Sequence, residues 1–276
     1  MTDVFLWAEE TDAGLRGNGE LAAAVLGLVA CRCPYPRMCD GRCGACLGRL
    51  LLGYGAVASG KFRTLVLVLG YCGLRFGEAT ALQVADVDTR NRCIEINRSV
   101  TYVTRQGRLE GDTKNHTIRK VPIPKFLAPL LATEIQGRDE EALVFPSPRN
   151  EYLTNGEFRW VFDAAVKTVR AAVAAQRQQE IGETGETQTP KFPIISPHDL
   201  RHTCASLAIS AGANIKVLQT LLGHKTATLT LDRYGHLFPD DLGKVADALD
   251  QMLWIRLLRT GCVLAGFCTR CRLTET

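Results

Sequence analysis

The sequence predicts an α+β fold, mainly α, with one small antiparallel β-sheet. Two observations predict it. Alternating stretches with β-branched residues are confined to Cys93–Thr104 and His116–Pro122, where a period near two marks short antiparallel strands. The rest carries helix punctuation. Gly73 and Gly223 stand at stop positions, and Ser196-Pro197 and Asn214 at starts, each type favoured there by its backbone or capping chemistry.

The elements follow in order. Residues 61–73 are apolar nearly throughout and predict a buried helix that Gly73 closes. A second helix is expected over Phe76–Leu82, then a turn at Asp86-Val87-Asp88. Gln106-Gly107-Arg108 and Gly111-Asp112 read as links between the strands. Pro122 and Pro124 end the sheet, because proline donates no ladder hydrogen bond. Helices resume over 125–134 and 155–179, and the polar residues 180–190 read as a surface loop. Ser196 as N-cap and Pro197 at the first helical position open the next helix. Asn214 caps another, which Gly223 ends, and Asp232-Arg233-Tyr234 lies on the helix after that. A last amphipathic helix is expected at 240–250, and no internal repeat is visible.

Composition narrows the class. The chain has 276 residues, 46% hydrophobic and 22% charged, which fits a globular protein with a real core. Lys+Arg is 33 against 29 Asp+Glu, a balance that permits a nucleic-acid partner without arguing for one. The longest apolar runs fall short of the ~20 residues a membrane helix needs. Leu28-Val29-Ala30-Cys31 mimics a lipoprotein cleavage site, but Asp3, Glu9, Glu10, Asp12 and Glu20 precede it against only Arg16. A secretion signal starts positive, so the expected location is cytoplasmic. The eleven cysteines are uneven. Residues 61–250 hold Cys72, Cys93 and Cys204, as a reduced cytosolic enzyme would. The other eight lie at the two ends, Cys31 to Cys46 and Cys262 to Cys271.

Five short motifs carry the chemistry: Gly-Leu-Arg-Phe-Gly-Glu (73–78), Thr-Lys-Asn (113–115), His-Asp-Leu-Arg-His (198–202), Leu-Gly-His (222–224) and Asp-Arg-Tyr (232–234). They offer Arg75, Lys114, His198, Arg201, His224 and Tyr234. Singly, each has an ordinary explanation: an anchor, a solvated lysine, a salt-bridging pair, a helix cap, a half-buried aromatic. Jointly they are a kit for attacking a phosphodiester through tyrosine without a metal or any other cofactor. Two guanidiniums can hold the nonbridging oxygens bidentately, and preorganised charge of this kind is commonly the largest catalytic term. A tyrosine hydroxyl of ordinary pKa near ~10 needs a base and a cationic site to ionise. The leaving 5′-oxygen needs a proton, which an ammonium on a flexible turn can deliver.

With these motifs, Tyr71–Asp88, Thr113–Pro124 and Ser196–Leu249 resemble the tyrosine recombinases, the phage-integrase family. His224 to Leu237 is especially similar to integrases of actinobacterial prophages. The resemblance covers about residues 61–250 and implies a tyrosine-recombinase catalytic domain, mostly helical with a small antiparallel sheet. It implies that Arg75 and Arg201 clamp the scissile phosphate and that Lys114, on a β-hairpin, is the general acid. It implies that His198 assists proton transfer with the nucleophile and that His224 contacts a nonbridging oxygen. Tyr234 would attack, leaving a 3′-phosphotyrosine and a free 5′-hydroxyl, and Glu78 would support the first arginine. The implied function is site-specific recombination, the integration and excision of phage DNA. The implied partner is double-stranded DNA at an attachment-site core, bound by a homotetramer, with no membrane involved.

The ends depart from the family pattern. Residues 1–60 do not read as the helical core-binding domain of a full integrase, so a degenerate segment with that domain missing is expected there. Residues 251–276 are expected to be an irregular tail. A zinc knuckle built on Cys43 and Cys46, with Cys39 or Cys33, is the competing reading of the N-terminal cysteines. Two further functional readings stay open: a DNA-binding integrase remnant that is catalytically impaired, and a type IB topoisomerase, which shares the chemistry.

Overall fold

Helix α1 (Lys61–Cys72) is the hub of the fold. In the computed structural model, which describes residues 61–103, 107–112, 118–187, 189, 191–192, 194–238, 243 and 246–252, Leu65 to Leu69 are at most 2% exposed. A helix apolar on every side must be wrapped. Helix α2 (Phe76–Thr80) follows after the Gly73 turn. Around α1 pack α3 (Leu127–Ile135) and α5 (Pro197–Ser210). The long α4 (Asn155–Thr184) contributes Phe158, Phe162, Val166, Val169 and Val173 to the same core. Phe158 is a node there, its ring 5.3 Å from Phe76 and 5.6 Å from Phe162. Helices α6 (Ile215–Leu222) and α7 (Ala227–Tyr234) complete this unit.

Among the described residues the small antiparallel sheet has three strands, and a separate two-stranded antiparallel pair lies beside it in the sequence. Strand β2 (Cys93–Ile96) lies between β1 (Val87–Asp88) and β5 (Arg119–Pro122), while β3 (Arg98–Val103) pairs with β4 (Gly107–Asp112). The expected turn at Asp86-Val87-Asp88 is therefore partly strand: buried Val87 pairs with Ile94, and exposed Asp88 with Cys93. The long alternating stretch breaks at Asn97, because the buried Asp86 carboxylate holds Asn97 Nδ2 at 2.9 Å and Arg98 Nη1 at 3.2 Å. Gly107 to Asp112 is a full strand in register with β3, not a link. Gly77 of α2 lies against β3, where a Cβ would collide with the Val100 carbonyl.

The helix starts and stops follow their punctuation. Gly73 and Gly223 adopt φ of +66° and +62°, the left-handed region that glycine enters without a Cβ penalty. The Asp199 carboxylate accepts from Ser196 N–H at 2.7 Å, and Asn214 Oδ1 accepts from Val217 N–H at 2.9 Å. Helix α4 runs past its expected end at 179. The pairs Gln176–Glu180 and Gln179–Glu183, each four apart and hydrogen-bonded, carry it to Thr184. Gly185, at φ +77°, stops it. In the second unit, residues from 236 onward, 246–252 are helical. Among the described residues no helix is long and apolar enough to cross a membrane.

Candidate active site

The site is assembled at the C-terminal end of α6. A helix end leaves carbonyls without intrahelical partners and carries partial negative charge. Three guanidiniums donate into this one. Arg119 Nε reaches the Leu221 carbonyl at 3.4 Å, Arg75 Nη2 reaches that of Gly223 at 3.2 Å, and Arg201 Nη2 reaches that of Leu222. Arg201 also donates to the Gly73 carbonyl, so it ties the glycine stops of α1 and α6 together. It is 4% exposed, whereas the Arg75 side chain is 30% exposed. Burial first, then Arg75, draws the Arg201 guanidinium down to about 10, so it stays charged at neutral pH.

Glu78 is the counter-charge. Its carboxylate takes two bonds from Arg119, at 3.0 and 2.7 Å, and one from Arg75 Nη1 at 2.7 Å. It also accepts from the Arg75 backbone N–H at 2.8 Å. Burial pushes this carboxyl up, but the bonds and charges of Arg119 and then Arg75 outweigh it and hold it at about 2. Glu78 is 2% exposed. It fixes the plane of one guanidinium that faces solvent and of one that does not.

Tyr234 ends α7 and is 3% exposed. Its hydroxyl is 2.8 Å from His202 Nδ1. The His224 ring lies parallel to it with centroids 6.4 Å apart, and His224 Nδ1 is 3.0 Å from the hydroxyl of the fully buried Thr230. Burial, then the charges of Arg201 and Arg75, lower the His224 imidazole to about 4. It is neutral at pH 7, so one ring nitrogen carries a proton and the other accepts. Burial raises the Tyr234 phenol and outweighs the pull of Arg201 and Arg233. The exposed His198 packs edge-on against His202, centroids 4.9 Å apart.

Of the six residues singled out in the sequence, the fold brings Arg75, Arg201, His224 and Tyr234 around the α6 end and places His198 one ring further out. Lys114 lies outside the described residues, as do the N-terminal cysteines and nearly all of the C-terminal tail. Three participants were missed. His202 carried a signal: it is four residues past His198 and therefore on the same helix face. Arg119 and Thr230 carried none, because their partners lie on other elements or behind a ring. Among the described residues no cluster of His, Cys, Asp or Glu is placed to hold a metal.

The α6 stop makes a testable demand. A Cβ at Gly223 would sit 3.0 Å from the Arg119 guanidinium, on a backbone at φ +62°. Gly223→Ala is expected to destabilise the protein by about 1–2 kcal/mol and to displace Arg119. An unfolding midpoint in urea equal to that of the wild type would show that the turn does not need glycine.

Residues 56–240 match the profile of the phage integrase family. The chain belongs to that family. It is 29% identical over 193 residues to the ICEBs1 integrase of Bacillus subtilis, covering 70% of this chain and 49% of that protein. It is 28% identical over 181 residues to the prophage phiRv2 integrase of Mycobacterium tuberculosis, covering 63% and 42%. The chain thus spans about half the length of the curated relatives it matches. Among solved structures, the Tn1549 transposon integrase in complex with circular intermediate DNA superposes with a TM-score of 0.55 at 22% identity, covering 73% of this chain and 64% of that one. The fold is that of a tyrosine-recombinase catalytic domain.

Proposed function

We propose that this chain breaks and rejoins DNA strands at a specific site through a 3′-phosphotyrosine on Tyr234, as a phage-type integrase. The observation that carries the reading is the seat of the Tyr234 hydroxyl: it meets an imidazole of the helix that also bears Arg201. In this reading the phosphate docks against the exposed edge of Arg75 and the remaining N–H groups of Arg201. Charge grows on its nonbridging oxygens during attack, and donors already held by Glu78 and the α6 carbonyls need no reorganisation to meet it. His224 Nε2–H donates to one of those oxygens. Lys114 protonates the leaving 5′-oxygen. No cofactor enters, since the phosphotyrosine conserves the bond for rejoining.

Double-stranded DNA as partner is supported by the Tn1549 relative, whose structure contains DNA. A homotetramer on an attachment-site core, a cytoplasmic location, a prophage origin and a catalytic domain over 61–250 belong to the same proposal. The test is covalent capture. The protein is incubated with a pool of nicked duplexes of random sequence, labelled at the 5′ end of the cleaved strand or at its 3′ end, and resolved on a denaturing gel. A shifted band carrying the 5′ label alone is expected. Retention of duplex with no covalent band at any sequence would instead favour a protein that binds DNA without cutting it.

A further inference from the structure

We infer that His202 is the proton acceptor for the Tyr234 nucleophile. The inference rests on the strand-cleaving reading above and deepens it. Two observations support it. His202 Nδ1 is at hydrogen-bond distance, 2.8 Å, from the attacking oxygen, whereas His198 is seen edge-on against the His202 ring, centroids 4.9 Å apart. The hydroxyl is buried, and attack requires it to lose a proton that bulk water is poorly placed to take. In the step inferred here Nδ1 accepts, which puts the ring's own proton on Nε2.

The step balances. The Tyr234 O–H bond breaks and its proton moves to His202 Nδ1, which becomes imidazolium. The phenolate oxygen forms a bond to phosphorus. The bond from phosphorus to the 5′-oxygen breaks, and that oxygen takes a proton from the general acid proposed above. In rejoining, His202 returns its proton to the departing phenolate. The groups that bias this exchange are His198, Asp199 and Arg201 on the same helix, and Arg233 beside the tyrosine on α7. Burial, then His198, Arg233 and Arg201, draw the His202 imidazole below its ordinary value, Asp199 opposing them.

Two measurements on the full chain test this. In long-range proton–nitrogen spectra of ring nitrogens, His202 is identified by its loss in His202→Asn. It is expected as the Nε2–H tautomer, with an Nδ1 resonance that moves in Tyr234→Phe. An Nδ1–H tautomer, or an Nδ1 indifferent to Tyr234→Phe, would overturn the contact. The second measurement is the rate of covalent capture on duplexes enriched from the random pool. Asparagine places an acceptor oxygen near the Nδ1 position but takes no proton at neutral pH. His202→Asn and His202→Leu are both expected to fall by about 10²-fold or more, the usual range for general-base loss, and to lose the acidic limb of the pH–rate profile. His202→Asn within a few-fold of wild type, with the limb intact, would make His202 a positioning contact only and leave the strand-cleaving reading standing. Wild-type protein that forms no covalent band would overturn that reading, and the base role with it, whatever the spectra show.

Discussion

Tyr234→Phe abolishes covalent attachment to DNA while leaving duplex retention close to wild type. The substitution removes one oxygen, whose partner among the described residues is His202 Nδ1. The ring keeps its packing at the end of α7 and its parallel neighbour His224. The three arginines at the α6 end hold one another through carbonyls and Glu78 rather than through the phenol, so the phosphate-binding charge stays in place. Folding is affected little: His202 is only half-buried, so its ring nitrogen can bond water in place of the phenol. Covalent capture and filter retention on the same duplexes check both halves. A covalent band persisting in the phenylalanine variant would move the nucleophile elsewhere.

Glu78→Gln is expected to have the next largest effect, on stability and on rate together. Removing one partner of a buried ion pair costs roughly 3–5 kcal/mol, because the other charge is left uncompensated. Here Arg119 and Arg75 lose the same partner. The pH dependence has a definite sign. The folded carboxyl is depressed from its ordinary 4.5 to about 2. Its stabilisation is therefore complete above about 4.5 and is lost as pH falls toward about 2, a change on the order of 3 kcal/mol. Urea unfolding at pH 7 and pH 3 should show the gap between wild type and Glu78→Gln narrowing in acid. A gap that stays constant would place the carboxylate outside the arginine network. Covalent capture should slow in the variant at pH 7 even where it remains folded, since the guanidinium planes lose their anchor.

What the sequence made legible was whatever depends on local chemistry. Gly73, Gly223, Ser196, Asn214 and Pro197 announce helix ends because φ, caps and a missing N–H are properties of one residue and its neighbours. The strands were harder. The break at Asn97 depends on Asp86, eleven positions earlier, and β4 exists because β3 pairs with it. Pairing is a property of two segments, and neither Gly107 nor Gly111 signals a strand alone. The site divides in the same way. The motif residues name a chemistry, but the identity of the group on the phenol is decided by where α7 delivers Tyr234 against α5. Arg119 was invisible for a related reason: its partners lie 41 and 102 positions away.

Mapping the bond decides whether Tyr234 becomes joined to DNA. The covalent product is isolated under denaturing conditions, digested with protease and nuclease, and its peptides are sequenced by mass spectrometry. A nucleotide remnant, joined through its 3′-phosphate, is expected on the hydroxyl of Tyr234 in the peptide that contains Asp232 and Arg233. A remnant on Tyr71, Tyr152, any other tyrosine, or a residue of another type would contradict it.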